Sequence, residues 1–321
     1  MIKAIALFAI GLVLLIFGGD WFVDGASGIA KRFHLPELLI GATVVSIGTT
    51  LPEVMVSATS AFTGHGEIAY GNAIGSIICN TSLIAALSIA AVPNTVNKKT
   101  LVTPVAFFFF ANIIYALTAY IGGRFTRLCG LVLLLIFVVY MFITVRQAFK
   151  SNDVPGKDDT PEKDDPFVKS IVLLVLGAAM IAVGAKLLVD NGTILAKSMG
   201  VPESVIALTF VALGTSLPEL ITAITSLIKG HGLLSLGNII GANLFNIVLV
   251  SGLATTISPF DIPAEKLIAG MNASKVIDIP LSFIVMGILC VPALLTGKLK
   301  RWQGILLLVI YAAFCAFQFA F

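Results

Sequence analysis

The sequence predicts an all-α membrane protein of ten transmembrane helices arranged as two inverted five-helix repeats. Composition is the first of three observations behind this. Of 321 residues, 58% are hydrophobic and 12% charged, whereas a soluble domain is about half apolar and about a quarter charged. Mean hydropathy is +1.04. The second is a series of ten apolar segments, at roughly 2–29, 37–62, 68–92, 101–121, 126–149, 167–196, 203–228, 233–255, 276–296 and 302–320. Each is near the ~20 residues that cross a bilayer core of about 30 Å. The third is an internal duplication that divides the ten segments five from five.

The first apolar run, Ile2 to Val23, is too long for a signal-peptide core and lacks a small-residue cleavage site, so it reads as a membrane helix. Prolines and charges punctuate the later segments. One stretch, 150–166 (KSNDVPGKDDTPEKDDP), is dense in acidic residues without calcium-loop spacing and reads as a polar tether. It separates a first repeat, 1–149, from a second, 167–321. Glu53 and Glu219 lie 166 residues apart, and the same shift aligns GATVVSIGTTLPE with ALTFVALGTSLPE, GHG with GHG, and GNAIGSIICN with GNIIGANLFN. Across residues 41–80, 17 of 40 positions match their shifted partners, which marks a duplication. An odd number of spans per half makes the second half enter the membrane from the opposite side, an inverted repeat. Placing both termini outside puts 13 of the 20 Lys and Arg residues on the cytoplasmic side, together with the tether. The net charge of +3 gives no reason to expect nucleic acid. Cys79, Cys129, Cys290 and Cys315 all lie within apolar runs and read as small buried hydrophobes.

Glu53 and Glu219 stand mid-segment, where a charged side chain costs about 2.5–3.5 kcal/mol on insertion scales, so both are functional candidates. Pro52 and Pro218 lack an N–H and push aside the carbonyl one turn earlier, freeing oxygens near Gly48, Thr49, Gly214 and Thr215. Thr49 shares a helix face with Glu53, as Thr215 does with Glu219. The following helices add Ser76, Asn80 and Asn246, while Gly71, Gly75, Gly237 and Gly241 make small-residue faces for close crossing. Two carboxylates with carbonyl, amide and hydroxyl oxygens form an all-oxygen set suited to Ca2+, which takes 6–8 oxygens. Transition metals would call for His or Cys. His65 and His231 read as turn residues, and Asp24 and Asp190 as members of polar clusters near helix ends. Asp20 and Lys186, matched positions of the first and sixth segments, are expected to pair across the pseudo-two-fold axis.

GTTLPE at 48–53 and GTSLPE at 214–219, followed by GNAIG and GNIIG, resemble the alpha repeats of the Ca2+/cation antiporter superfamily, and among its members the prokaryotic sodium/calcium exchangers. The resemblance implies a non-enzymatic Ca2+/Na+ antiporter working by alternating access in the inner membrane. The second, third, seventh and eighth helices would surround the ions, and the first and sixth would move. It implies Glu53 and Glu219 as shared Ca2+ and Na+ ligands and the Thr49 and Thr215 carbonyls as further Ca2+ ligands. Ser76, Asn80, Ala212 (by its carbonyl), Ser216, Thr50 and Asn246 would line Na+ sites. No cofactor is expected; the partners are Ca2+, Na+ and the bilayer, and the chain is expected to be monomeric. Three positions depart from the family pattern: Ile77 stands where an asparagine is frequent, Ala242 where a serine is frequent, and Asn246 where potassium-dependent members keep an acid. A Ca2+/H+ antiporter of the same fold is the alternative, although its usual glutamate-histidine pattern is missing. No Ser/His, paired-Asp or HExxH arrangement suggests an intramembrane hydrolase.

Overall fold

A computed structural model describes residues 2–33, 35–151, 167–198, 214–264, 267–268 and 270–320. The first repeat comprises α1 (Ile2–Arg32), α2 (Glu37–Phe62), α3 (Gly66–Ala91), α4 (Lys98–Gly122) and α5 (Arg127–Ser151). The second comprises α6 (Phe167–Ser198), α7 (Leu217–Ile228), α8 (Gly232–Ile257), α9 (Ser274–Thr296) and α10 (Arg301–Ala320). Among the described residues nine of these are long and apolar enough to cross a membrane, and α7 is the shorter tenth. The tether at 152–166 and the first half of the seventh segment, Ala212 included, lie outside the described residues.

Two strand pairs at the ends of the helices support a full crossing at α7. Phe125, after α4, pairs with Phe260, after α8, and Asn94, after α3, pairs with Leu299, after α9. Loops that pair must lie at the same end of the molecule, so an even number of crossings separates them. Between Phe125 and Phe260 lie α5, α6, α7 and α8, and the parity holds only if α7 is a crossing.

The inversion is visible where α1 meets α6. A Cβ placed on Gly11 would lie 2.9 Å from the Gly184 carbonyl oxygen, and one on Gly18 would lie 3.1 Å from the Gly177 carbonyl oxygen. Position 11 shifted by 166 is 177, and 18 shifted is 184, so the helices cross antiparallel about a two-fold axis near Leu14 and Ile181. This crossing overturns the expected Asp20–Lys186 pair. Equivalent residues face each other only at the axis; away from it they move to opposite ends. Asp20 is level with Val175, and Lys186 is level with Ala9, two turns into α1.

Lys186 bonds instead to Asp190 on its own helix, at 2.9 Å. Asp20 and Asp24 share Lys229 at the end of α7, whose Nζ lies 3.3 and 2.8 Å from their carboxylates and 3.0 Å from the Asp20 carbonyl. Lys229 thus ties α1 to α7, and its counterpart in the first repeat is Thr63, which carries no charge. Since the two carboxylates are about half exposed, Lys229→Met is expected to cost less than about 1 kcal/mol. Thermal melting should show the difference at low salt and lose it at high salt.

The centre of the fold is α8. Gly41 and Gly237 bring it so close to α2 that a Cβ on Gly41 would lie 2.7 Å from the Asn238 nitrogen, and one on Gly237 would lie 2.9 Å from the Leu38 carbonyl carbon. Peripheral helices divide by face: α5 buries Leu133, Ile136 and Tyr140 and leaves Leu128, Leu131, Leu135 and Phe142 on an outer apolar surface that suits lipid. Cys79, Cys129 and Cys290 are buried and Cys315 partly so, all as free thiols. The Gly-His-Gly turns repeat as well, with Gly64 and Gly230 at φ of 85° and 79°. His231 lies 2.7 Å from Glu37 and joins this turn to the start of α2, a partner the sequence reading had not assigned.

Candidate cation-binding site

Both LPE motifs reach the centre, by different backbone routes. Pro52 lies inside an unbroken α-helical stretch, Ser46–Phe62, and the widened turn comes earlier, as π-helix at Gly41–Val45. The expected break at Pro52 is therefore displaced by about two turns. In the second repeat Gly214–Ser216 forms a turn and Pro218 falls in the first turn of α7, where a missing N–H costs nothing. That places Glu219 in the first turn of α7, and the helix dipole favours a negative charge there.

Glu53 and Glu219 are fully buried, and none of their four carboxylate oxygens has a hydrogen-bond partner among the described residues. The two carboxylates lie within electrostatic reach of each other. Thr49 and Thr50, from the first repeat, stand beside the Glu219 carboxylate of the second. Thr50 Oγ1, Ser216 Oγ and both polar side-chain atoms of Asn80 and of Asn246 are buried without a hydrogen-bond partner among the described residues. Ser216 and Glu219 adjoin Cys79, the residue before Asn80. Ser76 is buried on α3, and Thr215 is partly buried.

Asn80 and Asn246 each open a stretch of π-helix, Asn80–Ala85 and Asn246–Ser251, at positions 166 apart. A π-turn adds a residue and swings its side chains away from the ordinary helical track, a feature frequent at functional sites. The pieces cross over between repeats: Asn80–Ala85 packs on α7, and Asn246–Ser251 packs on α2.

An orphaned carboxylate in a protein interior is costly, and two side by side more so. A dehydrated cation between them would use the orphaned oxygens as ligands, and Ca2+ requires such an all-oxygen shell. Among the described residues no group of three or more His, Cys, Asp or Glu could hold a metal ion, and the acidic side chains that come within electrostatic reach here are Glu53 and Glu219.

Two further residues at the site escaped the sequence reading. Asn72 and Asn238, the asparagines of the Gly-Asn motifs, hydrogen-bond Thr215 and Thr49 of the opposite repeats. Their signal was present in the sequence: a polar residue kept at matched positions within apolar segments, the same pattern that singles out the glutamates.

The fold and the site define a polytopic membrane transporter whose two inverted repeats enclose buried carboxylates. The family profile described as Sodium/calcium exchanger protein matches residues 3–146 and 169–320, and the chain belongs to that family. An uncharacterized membrane protein of Methanocaldococcus jannaschii is 35% identical over 312 residues, covering 97% of this chain and 96% of its own length. The sodium/calcium exchanger MaX1 of Methanosarcina acetivorans is 28% identical, with 97% of each chain covered. Among solved structures, the sodium-calcium exchanger NCX_Mj soaked with 2.5 mM Na+ and 0.1 mM Ca2+ superposes with a TM-score of 0.80 at 32% identity, covering 98% of each chain.

Proposed function

We propose that this chain is a secondary antiporter exchanging Ca2+ for Na+ by alternating access across the inner cell membrane, with both termini outside. One observation carries the reading. Two fully buried glutamates from equivalent places in the two repeats lie within electrostatic reach of one another, with no hydrogen-bond partner on any carboxylate oxygen among the described residues. Ca2+ between them is charge-balanced, and the Thr49 and Thr215 carbonyls complete its shell. Na+ ions use the same glutamates with Thr50, Ser76, Asn80, Ser216, Asn246 and the Ala212 carbonyl. The names of the relatives, sodium/calcium exchangers among them and in Escherichia coli an inner membrane protein 35% identical to this chain, support the substrate pair and the membrane. The chain acts as a monomer, because one copy holds both halves of the site.

The experiment is Ca2+ uptake by proteoliposomes carrying an outward Na+ gradient. Uptake should follow the Na+ gradient and fail with K+ alone or with a pH gradient alone; uptake driven by pH alone would assign the chain to Ca2+/H+ exchange. A second expectation concerns voltage. The glutamate pair neutralises one Ca2+, while three Na+ on the same pair carry one net charge, worth about 2.3 kcal/mol per 100 mV. An inside-positive potential should therefore speed Na+ exit and Ca2+ uptake, as an ionophore-imposed potential would reveal. Rates indifferent to voltage would refute the charge count.

A further inference from the structure

Asn72, on α3, donates from Nδ2 to the Glu53 backbone carbonyl at 3.1 Å and to Ser57 Oγ at 2.8 Å. A carbonyl only accepts, which fixes the amide orientation. Its Oδ1 then accepts the Thr215 hydroxyl, at 3.2 Å, from the other repeat. Asn238, on α8, accepts the Thr49 hydroxyl on Oδ1 at 3.0 Å, and its backbone carbonyl lies 2.9 Å from Ser46 Oγ, which is also 2.7 Å from the Gly41 carbonyl. Each asparagine thus reaches across the repeat boundary to the threonine one turn before the opposite glutamate. The glycines beside Asn238 make this reach possible, since α8 could not otherwise lie against the backbone of α2.

A hydroxyl has one proton to give. The Thr49 hydroxyl has Asn238 on one side and the Glu219 carboxylate on the other. Given to Asn238, the Thr49 proton is withheld from the Glu219 oxygens, and Thr50 is the other hydroxyl beside them. The hydroxyl lone pairs then face away from the asparagine. A carboxylate that accepts a hydroxyl proton has spent a lone pair that a cation would otherwise use.

We propose that Asn72 and Asn238 are positioning residues for ion binding: each takes the hydroxyl proton of the opposite repeat's threonine and holds the motif in place, and Asn238 thereby keeps the Thr49 proton off the Glu219 oxygens. Neither asparagine touches the ion. This rests on the exchange function proposed above. Ca2+ needs both carboxylates converging on one point, and a single Na+ does not, so Ca2+ binding depends on the asparagines more strongly. Asn72 also holds the Glu53 backbone and Ser57. Asn238 has no Ser57 equivalent, because the matched residue is Ala223, and its amide nitrogen is unpartnered. Among the described residues the side chain of Asn238 therefore acts through Thr49 alone.

A double-mutant cycle on purified protein tests this, with Ca2+ and Na+ binding read directly. Asn238→Ala should weaken Ca2+ binding about tenfold, the scale of one hydrogen bond lost beside a charge, and weaken Na+ binding less. In a Thr49→Val background, Asn238→Ala should add no further loss of Ca2+ affinity. Shifts that multiply in the double variant, or an equal loss for both ions, would overturn the proposal. Should Asn238→Ala not fold, the Asn72→Ala and Thr215→Val cycle decides: a double variant less impaired than the product of the singles supports the proposal, and a full product refutes it. Because the readout is binding, an unmodified protein that binds Ca2+ but does not exchange it for Na+ would overturn the proposed function without deciding the role of the asparagines.

Discussion

Glu53→Gln and Glu219→Gln are each expected to reduce Na+-driven Ca2+ uptake by at least about a hundredfold. Each change leaves Ca2+ with one buried negative charge instead of two. Breaking a buried charge pair by removing one partner costs about 3–5 kcal/mol, and every 1.4 kcal/mol is about tenfold in affinity. Glutamine keeps the shape of glutamate, so the loss should not come from misfolding. Indeed, without ions either variant should melt no lower than the unmodified protein, because one of two adjacent uncompensated carboxylates is gone. Tracer uptake and thermal melting measured together separate the two effects. Near-normal uptake by either variant would remove that glutamate from the site.

Gly241→Ala is expected to give a large structural effect for a single methyl group on α8. The new Cβ would lie 2.6 Å from the Ala42 Cα and 2.8 Å from the Ala42 carbonyl oxygen, both backbone atoms of α2 that cannot rotate away. Overpacking of this kind costs about 1–3 kcal/mol, sometimes more. Here it would also push α8 from α2, lengthening the Thr49–Asn238 and Ser46–Asn238 contacts. Gly287→Ala on α9 is the control: among the described residues nothing lies within 4 Å of a Cβ built there, and alanine favours a helix by about 1 kcal/mol over glycine. Melting of the detergent-solubilised proteins should drop clearly for Gly241→Ala and hold or rise for Gly287→Ala.

The repeat architecture was legible because membrane spans declare themselves by length and apolarity, and because duplicated motifs preserve their spacing. The buried place of Glu53 and Glu219, and the packing of Asn80 and Asn246 against the opposite repeats, follow from the same signals. Three features were less legible. The path of the backbone around Pro52 depends on where a helix can widen, and the wide turn formed at Gly41–Val45 instead. The Asp20–Lys186 pairing failed because equal position in two repeats does not mean equal depth when the helices run antiparallel. Charge complementarity alone could not reveal that Lys229, from a helix of the other repeat, was the nearer partner. Asn72 and Asn238 were overlooked because the Gly-Asn motif reads as helix packing, and only the hydrogen bonds to Thr215 and Thr49 show that these asparagines join the two halves of the site.

The proposed exchange uses one glutamate pair for Ca2+ and Na+ in turn. Its most direct test is the Ca2+ affinity of the purified protein measured over a series of Na+ concentrations at fixed pH. Competition for shared carboxylates predicts that the apparent Ca2+ dissociation constant rises without a plateau, more steeply than the first power of Na+ concentration, and that Glu219→Gln weakens binding of both ions. A Ca2+ affinity that ignores Na+ and instead falls with falling pH would contradict it.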